Sequence, residues 1–116
     1  MKVIIAGGRK FTDYQLLRDS CNALLKNINV QEIVSGGGTG ADKLGEKYAL
    51  ECGIGIKTFK ANWSLGRGAG HKRNEQMAKY ADYLIAFWDG NSSGTKSMID
   101  YAKKQNLKID VIRIKS

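Results

Sequence analysis

The chain of 116 residues contains no proline, one histidine and two cysteines. Without proline there is no proline-rich linker, and no repeat or low-complexity stretch breaks the chain either. Two cysteines, Cys21 and Cys52, do not make a disulfide framework, and both fall on the apolar side of an expected helix as reduced core thiols. With His71 alone, the sequence offers no histidine-based metal site and no expected Ser–His pair. One histidine and two separated cysteines cannot supply three clustered soft ligands, so neither a metal nor a cofactor is expected. No apolar run approaches the ~18 residues of a membrane span, and the N-terminus enters a strand directly rather than a signal peptide. A cytoplasmic protein without a membrane partner is the expectation.

What is present is positive charge. Nineteen Lys and Arg stand against eleven Asp and Glu, a net +8 with an isoelectric point near 9.6. Such a balance favours nucleotides, nucleic acid or acidic proteins as partners. Lys26, Lys79, Lys103, Lys104, Lys108 and Lys115 also suit plain solvated faces. The chain length is about one domain, residues 1–116, able to bury a modest core.

Strand and helix alternate five times. Lys2–Ala6 is a short apolar run ended by Gly7-Gly8, as in a strand buried on both faces. Thr12 and Gln15 have capping-box form, and Leu17, Cys21, Leu24, Leu25 and Ile28 then follow helical spacing. Glu32–Ser35 is a second strand. Thr39, with Asp42 three residues on, opens a helix whose apolar face is Ala41, Leu44, Tyr48, Ala49 and Cys52, with Gly53 as its C-terminal cap. Ile54–Phe59 is the third strand, 60–70 a Gly-rich loop, His71–Ala81 a helix and Tyr83–Phe87 the fourth strand. Another Gly/Ser loop, 88–94, leads to the helix Thr95–Gln105 and to a half-exposed edge strand, Lys108–Ile114. This pattern predicts an α/β fold, a mostly parallel sheet with helices on both faces.

In such a sheet, ligands sit beyond the carboxyl ends of the strands. Three Gly-rich segments, at 7–8, 36–40 and 90–94, follow strands directly and therefore converge on one edge. Ser35–Asp42 (SGGGTGAD) joins a strand to a helix: its glycines permit close backbone approach, and the helix start offers free N–H groups and a positive dipole end. It is neither a P-loop nor the six-residue dinucleotide fingerprint. Arg9, Lys10, Arg67, Lys72, Arg73 and Lys96 lie in or beside these loops, and Arg suits bidentate phosphate contacts. The ligand-binding candidates are Gly7, Gly8, Arg9, Ser35, Gly36, Gly37, Gly38, Thr39, Gly40, Asp42, Arg73, Asn74, Trp88, Asp89, Gly94, Thr95 and Lys96. Trp88 reads equally as a stacking surface or a plug of the core rim, whereas Trp63 reads as structural. The catalytic inventory is thin. Asp42 and Asp89 are weak candidates, equally suited to capping a helix and ordering a turn.

Four stretches, Gly7–Asp13 (GGRKFTD), SGGGTGAD, Ala69–Asn74 (AGHKRN) and Asp89–Lys96 (DGNSSGTK), resemble in order the motifs of the SLOG superfamily of Rossmann-like domains. The likeness is to a small bacterial and phage branch of uncharacterised function and covers nearly the whole chain. At His71 and near Lys60 that branch usually carries proline. The resemblance implies a five-stranded sheet in the order 3-2-1-4-5, a nucleotide-like ligand and a homodimer formed through helices flanking the site, with Tyr48, Tyr80 and Tyr101 available for contact. More distantly, Arg73–Met77, Ala81–Phe87 and Gly94-Thr95 resemble the "lonely guy" phosphoribohydrolases, which cleave an N-glycosidic bond in nucleoside monophosphates. Arg73 carries over as a phosphate or ribose contact; the catalytic Glu does not, because its position is Met98. Ser35–Leu50 resembles DNA-processing protein A, which binds single-stranded DNA. Other superfamily members bind nucleotide-derived signals, including ADP-ribose derivatives. Three functions therefore stand. In order they are binding of a phosphate-bearing nucleotide-like ligand as sensor or sequestering protein, hydrolysis of a nucleotide N-glycosidic bond, and single-stranded DNA binding.

Overall fold

The computed structural model describes residues 1–66 and 68–115. Arg67, one of the candidate cations, lies outside the described residues. The chain runs β1 (Lys2–Gly7), α1 (Tyr14–Leu24), β2 (Glu32–Ser35), α2 (Ala41–Glu51), β3 (Gly55–Thr58), a short 3-10 turn (Trp63–Leu65), α3 (Ala69–Tyr80), β4 (Tyr83–Trp88), α4 (Ser93–Lys104) and β5 (Lys108–Arg113). All four strand pairings are parallel, and the sheet order is β3-β2-β1-β4-β5. This is the α/β order expected from the sequence.

The apolar runs explain the layers. β1 and β4 are central, and Val3, Ile4, Ile5, Tyr83, Leu84, Ile85 and Phe87 are buried. Alternate residues of each strand face opposite sides. Val3, Ile5, Ile33 and Phe87 pack with Leu17, Cys21 and Tyr48 beneath α1 and α2. Ile4, Val34, Leu84 and Ala86 pack with Met77, Ala78, Met98, Ile99 and Ala102 beneath α3 and α4. The sheet thus has a core on each face. No helix among the described residues is long and apolar enough to cross a membrane.

Several element ends differ from the sequence expectation. The cap of α1 is Asp13 rather than Thr12, because the Asp13 carboxylate accepts from Leu16 N–H at 3.0 Å. The α3 helix starts at Ala69, two residues before His71, since Ala69 is buried and Lys72 N–H already bonds Gly68 C=O at 3.0 Å. The α4 helix starts at Ser93 because Ser92 is its cap. Cys52 is exposed, not a core thiol. It stands at the C-cap of α2, just before Gly53 turns the chain with φ +67°, and so leaves the buried face. Cys21 is fully buried, which pushes its thiol up to about 12. Tyr48 is buried too, with its hydroxyl on Asn22 at 2.8 Å, so it is not available for contact between copies.

Candidate functional site

Parallel strands deliver β1, β2 and β4 to one edge. There the following loops enclose a cleft of about 1270 Å³, lined among others by Gly7, Gly8, Arg9, Gly36, Gly37, Gly38, Thr39, Asp42, Arg73, Asn74, Asp89, Gly94 and Thr95. Among the described residues, the cations on its wall are Arg9, Lys10, Lys60, Arg73 and Lys115, facing only Asp42 and Asp89 as acids. The cleft is therefore suited to an anion.

The loops after β1 and β2 are laced together. Gly40, the N-cap of α2, has φ +70°, and a Cβ there would collide with the backbone of Gly8 and Arg9. Glycine is required on both counts. Ala41 N–H donates to Gly8 C=O at 3.1 Å and Thr39 Oγ1 to Arg9 C=O at 3.3 Å. Ser35 is buried below the loop, donating to Glu46 at 2.6 Å and accepting from Gly37 N–H at 3.1 Å. Ser35 and Gly40 thus shape the loop without lining the cleft.

Asp42, in the first turn of α2, accepts from Gly38 N–H at 3.0 Å. Burial pushes its carboxyl above the ordinary value, against the opposing pull of the Gly38 N–H and the Arg73 charge. Arg73, half-buried, donates through Nη1 to Gly36 C=O at 2.6 Å and through Nε to Asn74 Oδ1 at 3.0 Å. Burial draws its guanidinium below the usual value, with Asp42 opposing. The guanidinium is thereby held against the Gly-rich loop.

Asp89 accepts from the N–H groups of Asn91 and Ser92, both at 2.8 Å, which draw its carboxyl below the ordinary value. It lines the cleft as a turn-ordering residue. Trp88 is half-buried against the core under α3 and α4, and its indole N–H donates to Ser92 C=O at 3.0 Å. Its side chain packs at the core rim and is not among the residues lining the cleft. Thr95 is buried. Lys96 points away, pairing with Asp100 at 2.8 Å on the exposed face of α4, and does not join the cleft.

Among the cleft residues outside the candidate set are Lys60, Trp63, His71 and Ser97. Trp63, expected to be structural, is 58% exposed at the rim, its ring lying over Gly70, where a Cβ would stand 3.4 Å from the ring. His71 Nδ1 lies 2.9 Å from Ser97 Oγ, so a Ser–His pair does form. A pair needs only one histidine; the packing of α3 on α4 brings the serine to it. Among the described residues, no three His, Cys, Asp or Glu side chains gather to hold a metal ion.

Residues 1–66 match the YAcAr family, the YspA, cpYpsA-related SLOG family. The chain belongs to that family. The matched stretch carries the Gly7–Asp13 loop and SGGGTGAD, the half of the cleft that lies over β1 and β2. The SLOG chain is also 44% identical over 36 residues to the uncharacterized SPbeta prophage-derived protein YoqJ of Bacillus subtilis (strain 168). That segment is 31% of this chain and 21% of YoqJ, so the chain spans only about a fifth of that relative's length.

Proposed function

We propose that this SLOG domain binds a phosphate-bearing nucleotide or nucleotide-derived ligand, of which an ADP-ribose-type signal is one form, as a sensor or sequestering protein. The observation that carries the reading is Arg73, half-buried and held on Gly36 C=O beside the Gly-rich loop. A guanidinium held in place gives up little rotamer freedom on meeting a phosphate. Arg9 and the N-terminal end of α2 supply further positive potential. Arg73→Ala should weaken binding of ADP roughly 10–150-fold, the range for a hydrogen bond to a charged group. Calorimetry on the purified chain measures it. Unchanged affinity for a nucleotide that binds the wild type would place the site elsewhere.

Buried Asp42, whose carboxyl burial raises above the ordinary value, favours hydrolysis as a second reading, because a carboxylate shifted in that direction is a stronger base than a free one. Free base released from a nucleoside monophosphate and lost in Asp42→Asn would put that reading first. The same proposal pairs the chain as a homodimer. Tyr80 and Tyr101, both half-buried, remain for such a contact. Light scattering showing only monomer at micromolar concentration would refute the dimer.

A further inference from the structure

His71 is exposed on the wall of the cleft, and the side chains behind it form one directed chain of hydrogen bonds. Arg73 Nε is only a donor, and it meets Asn74 Oδ1 at 3.0 Å. Gly94 C=O is only an acceptor, and it meets Asn74 Nδ2 at 3.4 Å. Two obligate partners of opposite kind therefore fix which end of the Asn74 amide is which. Asn74 Nδ2 then also donates to Ser97 Oγ at 3.3 Å, filling one acceptor position of that buried hydroxyl. The neighbour remaining to Ser97 Oγ among the described residues is His71 Nδ1, at 2.9 Å. With the hydroxyl proton on that bond, Nδ1 is the acceptor. The imidazole proton then resides on Nε2, at the far side of the ring from Ser97. Nε2 has no protein partner among the described residues.

We propose that His71 is a ligand-contacting hydrogen-bond donor of the cleft, offering Nε2–H to an anionic oxygen of the bound ligand, with Asn74 and Ser97 as positioning residues that fix its tautomer. The inference rests on the reading of the cleft as a nucleotide site. Asn74 links the two halves of the arrangement: the guanidinium held on Gly36 C=O also orients the amide that sets the imidazole. The nitrogen carrying the proton is set by the bond the other nitrogen makes, as for histidines held by a second polar group elsewhere. Ser97 is nearly buried and bonded on two sides, which suits a support and not an attacking group.

The chain's single histidine makes the test unambiguous, because every imidazole ¹⁵N signal belongs to His71. At a pH where the ring is neutral, long-range ¹H–¹⁵N spectra of the ligand-free chain should show the Nε2–H tautomer. Ser97→Ala should move the populations toward those of a free imidazole, and Ser97→Thr should restore them. An Nδ1–H tautomer, or populations unmoved by Ser97→Ala, overturns the positioning part without any ligand. With ADP as probe, the His71 signals should shift on saturation. His71→Asn, too short to reach, should weaken ADP about tenfold or more, and His71→Gln by less, the loss of one hydrogen bond to a charged group. ADP binding that depends on Arg73 but leaves His71 unmoved overturns the contact while the nucleotide reading stands. ADP that fails to bind the wild type at millimolar concentration overturns that reading and the contact together. Covalent labelling of Ser97 by a fluorophosphonate would overturn its role as a support by showing a nucleophile.

Discussion

Asp42 is a carboxyl group that folding withdraws from water and places on the backbone N–H of Gly38. Its folded pKa lies above the unfolded value, so the fold favours the protonated form. By linkage, the stability this group contributes is fully present below the ordinary carboxylate range and is lost as pH rises through the raised folded value. Above the ordinary carboxylate range, burial of this group therefore costs stability. Asp42→Asn should raise the melting temperature at pH 7, and the gain should shrink as pH falls toward 4. Scanning calorimetry at the two pH values checks this; a variant less stable at pH 7 than the wild type would show the carboxylate acting as a stabilising cap. Met98 is the opposite case. The resemblance to the phosphoribohydrolases sets it where they carry a glutamate, and here it is 2% exposed among Met77, Ile99 and Leu84. Met98→Ala should cost about 2–5 kcal/mol of stability, the range for a buried methionine, by denaturant titration.

Elements were legible where a local pattern decides them. Short runs ended by glycine marked β1 and β2, the apolar run Tyr83–Phe87 marked β4 and apolar/polar alternation marked β5, and the alternation of strands with helices implied the parallel sheet. Ends moved by a residue or two wherever a cap side chain decides, as with Asp13 and Ser92. The loops that gather at the cleft could be placed because each follows a strand. What the sequence did not show is tertiary. No spacing links His71 to Ser97, which meet through the packing of α3 on α4. Lys96 appeared beside the loop, but the turn of α4 carries it outward to Asp100. Trp63 lay in a stretch without periodicity, where the 3-10 turn capped by Asn62 sets it at the rim. That element makes its own prediction. An exposed ring contributes little to the core, so Trp63→Ala should change folding stability by no more than about 0.5 kcal/mol. If a nucleobase stacks there, affinity for ADP should fall by about 1–3 kcal/mol while affinity for inorganic pyrophosphate stays constant. Equal losses for both probes would assign Trp63 to loop shape and not to stacking.

At the scale of the whole molecule, the net +8 has to be divided between a site and a surface. Among the described residues, the cations lining the cleft are Arg9, Lys10, Lys60, Arg73 and Lys115, with Lys96 paired outside and most other lysines on exposed helix faces and ends. A compact nucleotide meets a few of the cleft cations, with hydrogen bonds that salt screens only in part. A single strand would have to use the row as a track, releasing counterions from every phosphate it neutralises. With five such contacts, the logarithm of its affinity would fall by about 3.5 per decade of salt, or about a hundredfold between 50 and 200 mM. The nucleotide reading expects ADP affinity to change only a few-fold over that interval. It also expects Arg73→Ala to outweigh any single lysine substitution, since one held guanidinium carries the contact. Fluorescence anisotropy with a labelled oligonucleotide, beside calorimetry with ADP, compares the two directly. An oligonucleotide that binds more tightly than ADP at 150 mM salt, with a steep slope and small equal losses from Lys10, Lys60 and Lys115, would make the cleft a path for a polyanion and not a pocket.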